Sequence, residues 1–154
     1  MQLPEFLDFD AIKPSLSGGN KRALLQQLAQ FAAGRLDADA VEILSSVSER
    51  ERLGSTGFGQ GVAIPHGKIE GLTRIYCLFA RLSEPVDYKS IDGQKVDLVF
   101  LLLSPPDAGA EHLKALASIS RITRHAPTLE KMRGARSRDA LAAVLMGADE
   151  RDAA

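Results

Sequence analysis

The sequence has one cysteine, no tryptophan, and only two tyrosines and six phenylalanines among its 154 residues. The lone thiol, Cys77, excludes an internal disulfide. Its place in the apolar run Ile75-Tyr76-Cys77-Leu78-Phe79-Ala80 suits a small buried hydrophobe in a reducing compartment. An excess of either charge is also missing. With 19 basic and 20 acidic side chains the net charge is −1, which gives no electrostatic reason for a nucleic-acid or anionic-membrane partner. No apolar run approaches the roughly 20 residues of a membrane span. The start, Met1-Gln2-Leu3-Pro4-Glu5, lacks the basic and apolar regions of a signal peptide. The expectation is a cytoplasmic protein with no membrane insertion. Repeats, low-complexity segments and an interdomain linker are absent as well, and the length suits one domain over residues 1–154, with a frayed tail at 149–154.

Glycine is concentrated in one place. The run Gly54-Ser55-Thr56-Gly57-Phe58-Gly59-Gln60-Gly61-Val62-Ala63-Ile64-Pro65-His66-Gly67-Lys68 releases the backbone from ordinary steric limits and lets it approach another molecule. Pro65 biases Ile64 toward an extended conformation, so His66 is expected at the end of a strand with open space around it.

The remaining pattern is that of helices around a few strands. Lys21 to about Ala33 carries Leu24, Leu25, Leu28 and Phe31 at helical spacing, with Asn20 or Ser17 as cap and Gly34 as stop. Asp37 or Asp39 caps a second helix with Val41, Ile43, Leu44 and Val47 as its buried side. Residues 74–82 and 96–103 read as strands buried on both faces, the first interrupted by Ser83-Glu84-Pro85. A helix over 110–125 is expected to bury Leu113, Leu116, Ala117, Ile119, Ser120 and Thr123. Thr128 caps a short helix through Met132, and a last helix begins at Ser137 and ends at Gly147. This arrangement predicts a three-layer α/β/α domain, with the strand order left open.

Several chemistries can be weighed on the glycine-rich run. A phosphate-binding loop fails, because five residues separate Gly61 from Gly67 and Ile69 replaces the hydroxyl residue that holds magnesium. The spacing of Gly57, Gly59 and Gly61 does not continue to the third glycine of a dinucleotide site. His66, His112 and His125 show no metal-ligand spacing, so neither a metal nor a cofactor is expected. Covalent catalysis by histidine fits better, since a neutral imidazole is a nucleophile near neutral pH. A phosphoryl group held there needs donors and positive charge. Ser55, Thr56 and the backbone N–H groups up to Gly67 offer donors, and Arg50 offers a planar guanidinium. His112 lies at the start of a helix whose positive end favours a neutral, donating ring. The plain alternatives are that Arg50 complements a helix C-terminus, that His112 is an exposed first-turn residue, that His125 is structural and that Lys68 is solvated.

Glu49-Arg50-Glu51, Gly54-Ser55-Thr56-Gly57-Phe58-Gly59 and Gly61-Val62-Ala63-Ile64-Pro65-His66-Gly67-Lys68 resemble the active-site signature of enzyme IIA domains of the fructose/mannitol class, from the bacterial phosphoenolpyruvate-dependent phosphotransferase system. The resemblance continues through Val96-Asp97-Leu98-Val99-Phe100 and His112-Leu113, and the spelling Gly54-Ser55-Thr56-Gly57 points to the nitrogen-regulatory branch. It implies a mixed, partly antiparallel sheet between helices. It implies phosphorylation of His66 on its outer ring nitrogen by a phosphohistidine of an HPr-like protein, with Arg50 and His112 stabilising the phosphoryl group. Members of that branch act as regulators that change target proteins according to phosphorylation state. Two other readings stay open: a sugar-specific IIA that passes phosphate to a IIB domain, and a non-catalytic module that binds anions or partners.

Overall fold

The computed structural model describes the backbone of residues 1–153 and side chains through Ala148. Two short 3-10 turns, Leu3–Glu5 and Phe9–Ala11, lead into strand β1, Lys13–Leu16. Helix α1, Lys21–Leu36, begins at Asn20, whose side chain accepts from the Ala23 N–H at 2.8 Å. It does not stop at Gly34. A glycine inside a helix costs about 1 kcal/mol, and the extra turn packs Leu36 against the core, which offsets that cost. The helix ends instead at Asp37, which adopts the left-handed conformation with φ of 53°.

Helix α2, Ala40–Arg52, is capped by Asp39, which accepts from the Val41 N–H at 2.9 Å. Its buried side is Ile43 and Val47, four residues apart on one face; Val41, two residues from Ile43, falls on the opposite side and is 75% exposed, contrary to expectation.

The glycine-rich run is mostly strand rather than open loop: β2 is Gly57–Gly59, β3 Val62–Ala63 and β4 His66–Lys68. Two long strands follow, β5 (Tyr76–Val86) and β6 (Val96–Ser104). The sheet order is β1-β5-β6-β3-β2, with β4 also on β6. The β5–β6 and β2–β3 pairs are antiparallel and the others parallel, giving the mixed sheet. Pro85 lies within β5, where the ladder loses regular register between Arg81 and Val86, so its missing N–H breaks no regular pair.

Strands β3 and β4 are two parts of one path along β6. Val62 pairs with Leu98 and His66 with Leu102, the same offset on both sides of Ile64-Pro65. The Leu102 N–H bonds the Pro65 carbonyl at 3.0 Å across the break.

Helix α3 is Gly109–Thr123, α4 is Ala126–Gly134 and α5 is Arg138–Ala153. In α3 the buried side runs through His112, Ala115, Ile119 and Ile122, while Leu113 is 65% exposed. Helix α4 starts two residues before Thr128, whose Oγ1 pairs with His125 Nδ1 at 2.6 Å. Ser137 opens α5 by accepting from the Ala140 N–H at 3.1 Å, and the helix continues past Gly147. The tail expected to fray at 149–154 lies outside the described side chains.

Alternation along the sheet produces three layers. Phe79, Leu98, Phe100 and Leu102 pack with α3, α4 and α5. Leu78, Val99, Leu101 and Leu103 pack with α1 and α2. The same alternation decides what the two residues after Pro65 meet. His66 comes up beside α3, and Gly67 comes up beside α2.

Candidate active site

His66 opens β4, and its ring is buried, with the residue 7% exposed. The open surroundings expected from sequence are therefore replaced by a close-fitting site. His66 Nδ1 lies 2.7 Å from the Ile64 carbonyl. A carbonyl only accepts, so Nδ1 carries the proton and the neutral ring keeps its lone pair on Nε2. Burial pushes the imidazole pKa below its ordinary value, the Ile64 carbonyl opposes that shift, and the Arg50 guanidinium adds to it. At neutral pH the ring is uncharged.

His112, one turn into α3, sits with its ring centroid 5.4 Å from that of His66, tilted at 52°. Its Nδ1 pairs with Ser104 Oγ, at the end of β6, at 2.6 Å. Burial first, then the neighbouring His66 and Lys68, push its pKa down to about 4. The exposed first-turn reading is excluded: His112 is 8% exposed.

Arg50, in the last turn of α2, donates from Nη1 to the Gly54 carbonyl at 2.8 Å, and its charge bears on His66. The hydroxyls predicted beside it are directed into the protein. Ser55 Oγ donates to the Tyr88 carbonyl at 3.3 Å and accepts from the Gly57 N–H at 3.1 Å. Thr56 is fully buried, and both its N–H (3.1 Å) and its Oγ1 donate to the Glu51 carboxylate. Gly67 lies in the β4–β6 ladder opposite Leu103, and a Cβ there would stand 2.5 Å from Ser46 Oγ. Its lack of a side chain is what lets β4 lie against α2. Ser46 in turn accepts from the Lys68 N–H at 3.1 Å and donates to the Lys68 carbonyl at 2.9 Å.

The structure thus brings Arg50, His66 and His112 to one place, from α2, β4 and α3. His125 is elsewhere, tied to Thr128. Sequence reasoning missed Glu51, Ser104 and Tyr88. Among the described residues no three His, Cys, Asp or Glu side chains converge in a way that could hold a metal ion, and no helix is long and apolar enough to cross a membrane.

Two buried imidazoles and an arginine thus lie together at the seam of sheet and helices, with the proton of the His66 ring held on Nδ1. The sequence matches, over residues 5–147, the family described as phosphoenolpyruvate-dependent sugar phosphotransferase system, EIIA 2, and the chain belongs to that family. A nitrogen regulatory protein of Bradyrhizobium diazoefficiens is 46% identical over 145 residues, 94% of this chain and 95% of that protein. Among solved structures, nitrogen regulatory protein IIA-Ntr of Neisseria meningitidis superposes with a TM-score of 0.87 at 31% identity, over 93% of this chain and 98% of that one. The IIA mannitol structure of Escherichia coli shares the fold, with a TM-score of 0.76 at 16% identity over 90% and 97% of the two chains.

Proposed function

We propose that this protein is a phosphocarrier of the nitrogen-related phosphotransferase relay, in which His66 Nε2 accepts a phosphoryl group from the phosphohistidine of an HPr-like protein. The observation that carries the reading is the Nδ1–Ile64 hydrogen bond, which leaves Nε2 of a neutral ring as the free nucleophile. Transfer breaks the donor's N–P bond and forms one to Nε2, so the accepted group is a dianion beside an imidazole that becomes cationic as it bonds. Arg50 then supplies fixed positive charge. His112, kept neutral by burial, donates from Nε2–H when Ser104 donates to its Nδ1. Ser55, Thr56 and Gly67 contribute by shaping the turn and the strand rather than through their own side chains, whose protons are already committed or absent.

The regulatory role is supported by the nitrogen regulatory names of the similar proteins. In it, target proteins bind one phosphorylation state and release the other. Incubation with phosphoenolpyruvate and the upstream relay proteins is expected to place acid-labile phosphate on the wild-type chain and none on His66→Ala. Label that persists in His66→Ala would place the acceptor elsewhere. Onward transfer to a sugar-system IIB domain would favour a sugar-specific carrier.

A further inference from the structure

Glu51 sits where a carboxylate is unwelcome on local grounds. It occupies the last turn of α2, the negative end of the helix, where the macrodipole disfavours an acidic group. It is also nearly buried, its side chain 7% exposed. Removing a charge from water in this way requires dedicated partners, and Glu51 has them. Lys21 Nζ, at the start of α1, lies 2.8 Å from Oε1. The Thr56 N–H bonds the same oxygen at 3.1 Å, and Thr56 Oγ1 donates to Oε2. That hydroxyl's only proton is thereby used, so in its 3.0 Å contact with Tyr88 the tyrosine O–H is the donor. The Lys21 ammonium stands 4.3 Å over the Tyr88 ring and closes the group.

The cluster leads directly to the reactive ring. Thr56, gripped at its N–H and hydroxyl by Glu51, accepts the Ile64 N–H on its carbonyl at 3.0 Å. Ile64 in turn accepts the His66 Nδ1–H at 2.7 Å. On the other side of the same short turn, Arg50 holds the Gly54 carbonyl. Adjacent residues of α2 therefore fix both ends of the turn: Arg50 at Gly54 and Glu51 at Thr56.

We infer that Glu51 is a positioning residue for His66, holding the imidazole in its Nδ1–H tautomer and aim through Thr56 and the Ile64 peptide. This rests on the reading of His66 as phosphoryl acceptor. The carboxylate also acts on the ring at a distance, favouring its protonated form where Arg50 disfavours it, so it eases the positive charge that develops as Nε2 bonds phosphorus.

The test uses Thr56→Val, which removes the hydroxyl at nearly constant shape, Thr56→Ser, which keeps it, and Glu51→Gln, which removes the charge. Each protein is read in two ways: the nitrogen-15 signals of the His66 ring without phosphate, and the rate of transfer from a phosphorylated HPr-like donor, split into kcat and KM. Wild type and Thr56→Ser are expected to show one Nδ1–H tautomer and similar rates. Thr56→Val and Glu51→Gln are expected to show mixed tautomers and a kcat about tenfold lower, with KM within about twofold. Folded variants with wild-type ring signals and kcat overturn the inference, and so does a fall in melting temperature alone. If Thr56→Val does not fold, Glu51→Gln decides by the same two readings. Wild-type protein that takes no phosphate refutes the phosphocarrier reading, while the ring signals still report on positioning.

Discussion

Replacing Gly67 by alanine tests how tightly the strand that carries His66 is fitted to the helix behind it. The added methyl group would stand 2.5 Å from Ser46 Oγ, 3.1 Å from Ser46 Cβ and 3.3 Å from the Ser46 backbone carbon. Rotating the Ser46 hydroxyl relieves the first contact only, at the expense of its bonds to the Lys68 N–H and carbonyl. The backbone contact then forces β4 and α2 apart. Two lost hydrogen bonds amount to about 2 kcal/mol, and overpacking adds about 1–3 kcal/mol. For a domain of this size a total of about 3–5 kcal/mol lowers Tm by roughly 6–20 °C. Because His66 precedes Gly67, phosphoryl transfer should fall as well. Thermal unfolding by circular dichroism gives the first value. The double variant Ser46→Gly/Gly67→Ala removes the contacts with Oγ and Cβ and leaves the one with the backbone carbon; the two changes lose the same hydrogen bonds, so it should be more stable than the sum of its parts. A Gly67→Ala protein melting within about 2 °C of wild type would refute the close-approach argument.

Other consequences follow from the same geometry. Arg50→Ala should slow transfer about 10- to 100-fold while stability changes by about 1 kcal/mol, since only the bond to Gly54 is lost; equal losses of transfer and Tm would support the helix-end role instead. Stability should decline on mild acidification. The folded pKa of His112 is pushed down to about 4, so the unfolded chain binds protons first, and stability present above about pH 6.5 is lost as pH falls toward 4. At pH 5, about 1.5 units below the unfolded value, the loss from this ring is about 2 kcal/mol; His112→Gln should flatten that part of the Tm-versus-pH curve, and an unchanged slope would count against the assignment. Arg133→Ala should cost about 1–3 kcal/mol, because Arg133 bonds both oxygens of Asp97 and the Gln60 carbonyl at the β2–β3 turn; denaturant melts measure this, and a midpoint unmoved from wild type would contradict it.

Arg50 and His66 were legible as candidates because they lie in one local stretch of sequence. The proline before His66 and the glycine after it mark an unusual backbone, and the signature from Arg50 onward reads as one unit. Helix caps at Asn20 and Asp39 and the two apolar strands were legible for the same reason. What failed depended on tertiary pairing. The segment Lys13–Leu16 contains a proline and little apolar periodicity, and becomes strand only by lying alongside β5. The glycine-rich run reads as loop because glycine carries no side-chain alternation, yet β6 imposes one register on it across Ile64-Pro65. Leu113 falls on the outer side of α3 because His112, a polar residue, occupies the inner face beside the His66 ring. Glu51 was hidden in the charge run Glu49-Arg50-Glu51-Arg52, where every side chain looks solvated. Its partner Lys21 comes from another helix, and Tyr88, which bonds Thr56 and lies under the Lys21 ammonium, from beyond β5; only the fold assembles them.

The most direct test of the account is the position of the phosphate on the ring. With Nδ1 held by the Ile64 carbonyl, nitrogen-15 and phosphorus-31 spectra of the phosphorylated protein are predicted to show the N–P bond at Nε2 of His66. A bond at Nδ1, or at any other histidine, would contradict it.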